Sequence, residues 1–158
     1  MSLPVSLIVL LALFGPMHSP AARRVSVAGW TLTTRTDAFG GEVRCDLRRG
    51  RVSFARGALL ISLGRKVSTF DAVYRIGGGP PRRSRDDAME IAALGIALHN
   101  DNLDNPSGGL VRIPAQLVGD AYRITVEARP FVRPLAFTVA GLPAALQAEH
   151  AAGCDTGV

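Results

Sequence analysis

Between residues 23 and 139 the chain never runs far without a turn signal: short apolar or alternating segments of four to seven residues are cut repeatedly by glycine, proline, asparagine and aspartate. That rhythm leaves little room for long helices and favours many short strands. Glu42-Val43-Arg44-Cys45-Asp46-Leu47 shows the pattern most plainly. Apolar and charged residues alternate with period two, which sets Val43, Cys45 and Leu47 on one face and the arginines on the other. After Arg48-Arg49-Gly50 the chain resumes as Arg51-Val52-Ser53-Phe54-Ala55, a hairpin, and Arg56-Gly57 leads into Ala58 to Leu63.

Elsewhere the same reading places strand character at Val25, Val27 and Trp30 to Thr34, a turn over Asp37 to Gly41, and a strand from Val67 to Ile76 with Phe70, Ala72, Tyr74 and Ile76 on one face. Gly77-Gly78-Gly79-Pro80-Pro81 is a loop. Ser84 to Asp87 fits a capping box for a helix over Asp86 to Leu94, with Gly95 as its stop. The Asn100 to Gly109 segment, NDNLDNPSGG, is a turn-rich loop. Strands are predicted at Leu110 to Ile113, Tyr122 to Ala128 and Leu135 to Val139. A short helix follows over Ala144 to His150, and Gly153 ends it. The expected fold is mainly β, an antiparallel sandwich or barrel-like domain with one or two short helices.

The first residues carry an address. Leu3 to Phe14, LPVSLIVLLALF, is a charge-free apolar run followed by Gly15-Pro16 and the small-residue stretch Ser19-Pro20-Ala21-Ala22. As helix it would be about 18 Å long, against a bilayer core of roughly 30 Å, so it reads as an export signal over residues 1–22 and not as a transmembrane span. One β-rich domain over residues 23–158 remains, bound for the periplasm or secretion. Its two cysteines, Cys45 and Cys154, form one disulfide in an oxidising compartment. On chain-entropy grounds a loop of that length stabilises by up to about 4.7 kcal/mol, with measured values nearer 2 to 4.

Every charged residue follows Ala22, and the net charge is +5; Lys66 is the lone lysine among the 18 basic residues. A basic export product meets nucleic acid, lipopolysaccharide, anionic lipid or an acidic partner. The candidate anion-binding residues are Arg48, Arg49 and Arg51 at a hairpin tip and Arg82, Arg83 and Arg85 after the proline pair, since guanidinium forks suit phosphate and carboxylate. Other chemistries fare worse. The exported part has only His99 and His150, and no G-x-S-x-G elbow, so no catalytic residue is assigned. His150 and Cys154 stand four apart, but a disulfide removes the thiolate that zinc needs. Asp101-Asn102-Leu103-Asp104-Asn105 lacks the calcium-loop register. The glycine run matches no phosphate cradle. No metal or cofactor is expected, and aromatics placed in strand-core registers argue against specific nucleic-acid binding.

The residues also resemble a family, the invasion-associated locus B-like proteins of the bacterial periplasm and envelope. The likeness lies in the export signal, the early strand tryptophan (Trp30, WTL), the following strand cysteine (RCDL around Cys45), the YRI of Tyr74 to Ile76, and the C-terminal RITVEARPFVRPLAFTVAGLPAAL. The family's further cysteines, one near the first tryptophan and a close pair mid-chain, have no counterpart here; the LDNPSGG loop stands in place of the pair. The resemblance implies a β-sandwich closed by two strands and a short alanine-rich helix. The function expected is that of a non-catalytic binding or structural module contacting an anionic envelope or host component, or a protein partner. A small secreted hydrolase or carbohydrate binder using the 99–109 loop is the alternative.

Overall fold

The computed structural model describes residues 22–37, 41–64, 67–97, 109–129 and 133–154; the apolar run Leu3 to Phe14, expected to be the body of an export signal, lies outside them. The strands are β1 (Arg23–Val27), β2 (Trp30–Thr36), β3 (Val43–Arg49), β4 (Val52–Ala55), β5 (Ala58–Ser62), β6 (Val73–Ile76), β7 (Arg82–Arg83), β8 (Leu110–Pro114), β9 (Arg123–Glu127) and β10 (Leu135–Thr138). A 3-10 turn, Ser84–Asp87, runs directly into helix α1 (Ala88–Ala93), a second covers Ala115–Leu117, and helix α2 (Leu142–Ala151) is the last element before Cys154.

Two antiparallel sheets result. One has six strands in the order β1-β2-β3-β4-β5-β8, the other four in the order β10-β9-β6-β7. Their inward residues belong to one apolar core: Trp30, Leu47, Leu59, Ile61, Val111 and Ile113 from the larger sheet, Tyr74, Ile124, Val126 and Phe137 from the smaller. This is the sandwich-like arrangement expected from the alternation, and Ile124 and Val126 face inward as read. Each fully buried Leu or Ile contributes roughly 1.5 to 3 kcal/mol through area removed from water.

Val25, Val27 and Trp30 to Thr34 are strand as read, and they pair as a hairpin, with Ala28 and Gly29 both at positive φ (49° and 82°) between Val27 and its partner Trp30. That is the two-residue turn whose twist matches paired strands, and glycine supplies its second position without strain. The Val67 to Ile76 strand is shorter than expected. Only Val73–Ile76 is ladder, because Ala72 donates its N–H to the Thr69 carbonyl (3.1 Å) and closes a turn that leaves Phe70 63% exposed. The capping box is not made. Ser84 gives its hydroxyl to the Ala72 carbonyl (3.2 Å), and Asp87 serves residues outside its own helix.

Helix α2 lies against β1, β2 and β3. Its seat is built from backbone. The Trp30 indole N–H donates to the Ala140 carbonyl (3.0 Å), and Arg49 Nη1 donates both to that carbonyl (2.6 Å) and to Ala28 (2.9 Å). Beyond the helix, Cys154 bonds Cys45 of β3, with Cα atoms 5.8 Å apart and a sequence separation of 109. That spacing lies in the usual range for a disulfide.

Candidate anion-binding face

In the four-stranded sheet Tyr74, Ile124, Val126 and Phe137 point into the core, so the odd-numbered positions of β6 and β9 point out. Arg75 stands opposite Thr125, and Arg123 opposite Thr138. On the far side of β6, Val73 sits between Arg83 of β7 and Glu127 of β9. Arg83, Arg75 and Arg123 therefore step diagonally over three adjacent strands, each about 7 to 8 Å from the next at Cα.

Beside this diagonal, the strand ends open onto a cleft of about 630 Å³, lined by Arg83, Arg85 and Arg129 together with Asp71 and Glu127. Asp71 is engaged by Arg85 (3.1 Å). By contrast Arg75, Arg83, Arg123 and Arg129 make no ion pair or side-chain hydrogen bond among the described residues. Four exposed guanidiniums thus face solvent with Glu127 as the near carboxylate. No ion pair among the described residues relieves their mutual repulsion, and each keeps its full set of forked donors for an outside anion.

The six arginines singled out by sequence divide sharply. Arg49 is spent on α2. Arg48 pairs with Asp46 (2.8 Å), and Arg51 lies over Gly64, where a Cβ would come within 3.0 Å of its guanidinium. Arg82 turns inward from β7. It donates to both Asp87 (2.7 Å) and the Tyr74 hydroxyl (3.1 Å), while Tyr74 donates to the other Asp87 oxygen (2.5 Å). Asp87 is 2% exposed, and this three-residue network satisfies it. Burial first, then the bond to Asp87, lifts the Tyr74 hydroxyl well above the ordinary phenol range, so it remains a donor. Of the second cluster, Arg83 stays open, and Arg85 is tied to Asp71 and Asp86.

Nor do the two clusters meet. Arg49 and Arg51 line a separate cleft of about 380 Å³ against Leu135 to Thr138 of β10. Because β10 and β7 are opposite edges of the smaller sheet, some three strand spacings, about 14 Å, separate them. Arg75, Arg123 and Arg129 escaped the sequence reading, which counted arginine runs. For the first two the signal was a single arginine at an outward position of an alternating strand, in YRI and RITVE.

His99, Asp101 and Asp104, on which a hydrolase or carbohydrate-binding function would depend, lie outside the described residues. His150 is exposed, and Cys154 is held in the disulfide. Among the described residues no group of three or more His, Cys, Asp or Glu is placed to hold a metal ion, and no helix is long and apolar enough to cross a membrane. No family model, curated protein or solved structure matches the chain, so the resemblance to the locus B-like proteins rests on the quoted residues alone.

Proposed function

We propose that this is an exported, non-catalytic binding protein of the periplasm or cell exterior, whose four-stranded sheet presents its outer face to an anionic component. One observation carries the reading: Arg75, Arg83, Arg123 and Arg129 are gathered on and beside that face with no partner among the described residues. A folded chain gains nothing by concentrating unpaired like charges, whereas a ligand bearing phosphate, sulfate or carboxylate groups is bound by them. Export is supported by the apolar start at Leu3 to Phe14 and by the Cys45–Cys154 bond, which is of the kind that persists in oxidising compartments.

The test is retention on immobilised heparin as salt is raised. Replacing Arg75, Arg83, Arg123 and Arg129 by serine should weaken retention at least tenfold, while Arg48→Ser with Arg51→Ser leaves it nearly as it was. Arg49 and Arg82 are left in place, since removing them would disturb α2 and Asp87 instead of the face. Unchanged retention of the fourfold variant rejects the proposal.

A further inference from the structure

The arginine cleft has an apolar neighbour. Phe70 is 63% exposed at the tip of the turn closed by the Ala72 N–H and the Thr69 carbonyl. Both residues on either side of that tip are tied down. Thr69 Oγ1 donates to the Leu110 carbonyl (2.8 Å), and Asp71 is gripped by Arg85 (3.1 Å). The ring is therefore held outward by its own framework. Asp71 next to it, and Ser68 two positions before it, line the same cleft as Arg83, Arg85 and Arg129. A second strongly exposed apolar side chain, Met89, 84% exposed, stands on α1, which continues directly from the turn carrying Arg85.

An exposed aromatic ring on a rigid tip beside several guanidiniums matches one anionic partner better than others. A bilayer surface offers phosphate groups and, immediately beneath them, an apolar layer. A sulfated polysaccharide offers the charge alone and has nowhere to put the ring, whereas a single-stranded nucleic acid offers bases for it to stack on and is the competing partner. We infer that the anionic component is the surface of an acidic phospholipid bilayer, with Arg83 and Arg129 on lipid phosphates and Phe70 entering the headgroup boundary. This rests on the anion-binding face proposed above and narrows it to one partner.

Phe70→Trp supplies the probe. The native Trp30 is fully buried, with its indole N–H bonded to Ala140, so its emission is a constant background. The variant is titrated with phosphatidylcholine vesicles containing or lacking phosphatidylglycerol, with heparin, and with single-stranded poly(dT). The expected result is a blue shift and protection from acrylamide with phosphatidylglycerol vesicles only. In vesicle sedimentation Phe70→Ser should bind about tenfold more weakly than the native chain, as loss of a partly buried aromatic ring implies, with heparin retention intact. Each of Arg83→Ser and Arg129→Ser should cost about fivefold. Vesicle affinity equal in Phe70→Ser and the native chain would overturn the inference while leaving the anion-binding reading in place. So would absence of vesicle binding with heparin retention preserved. An emission shift of the Phe70→Trp variant given by poly(dT) and not by vesicles would overturn it too, and would point to base stacking. Loss of both heparin and vesicle binding in the native chain would bring down both proposals.

Discussion

Glu149 sits on the side of α2 that Leu142 and Ala145 bury against the larger sheet, and it is only 5% exposed. Its Oε2 has no hydrogen-bond partner. A charged carboxylate there has lost water and gained nothing in return, so burial pushes its pKa up to about 7. The direction of the pH effect follows. Between the ordinary glutamate value near 4.5 and about 7, the folded chain keeps a proton that the unfolded chain has released. Stability is therefore greatest below that window and declines as pH rises through it, by about 3 kcal/mol. Glu149→Gln should remove this decline and raise Tm at pH 8 by roughly 5 to 10 °C. Thermal unfolding of both proteins from pH 4.5 to 8 checks it, and parallel curves would show that Glu149 reaches solvent as an ordinary carboxylate.

The seating of α2 depends on a backbone approach that only glycine permits. At Gly141, φ is +76°, and an added Cβ would lie 2.5 Å from the Ala28 Cβ and 2.7 Å from the Ala28 carbonyl oxygen. Gly141→Ala must either break the two-residue turn at Ala28-Gly29 or lift the helix from β1 to β3, at a cost of about 3 kcal/mol. Urea unfolding measures the loss, and a cost below about 1 kcal/mol would mean that the helix start can shift freely. This contact also explains what the sequence could and could not disclose about the elements. Where alternation was long enough, as in β3 and β9, strand, face and inward residues were all legible, because period two is a property of the chain itself. Ala28-Gly29 was not legible, since alanine is an unusual first residue for such a turn. Its conformation is secured by Arg49 and Gly141, both far away in sequence. Phe70 failed for the same kind of reason. It matched the period of Ala72 and Tyr74, but the Thr69 bond to Leu110 ends the extended run before the ladder starts. The capping box at Ser84 to Asp87 gave way to distant partners, Ala72 for the one and Tyr74 with Arg82 for the other.

The molecule as a whole joins a local meander, β1 through β5, to a smaller sheet whose strands come from distant parts of the chain, and the Cys45–Cys154 bond ties its last described residue to the third strand. The cysteine pairing was readable by counting, since only one pairing of two cysteines exists. The arginine face was not, because it is assembled from β6, β7 and β9, and which charges remain unpaired is decided by that assembly. Sequence proximity even misled, for Arg82 and Arg83 are adjacent yet one serves the core and the other the surface. A bond closing so long a loop acts chiefly on the unfolded chain, by excluding expanded conformations. Replacing both cysteines by alanine should therefore lower stability by about 3 kcal/mol while leaving the native core and the arginine face in place. The measurements are guanidinium unfolding, for the stability, and heparin retention without denaturant, for the face. A loss of retention in step with the disulfide would instead tie the anion site to α2, and through it to the redox state of the compartment in which the chain folds.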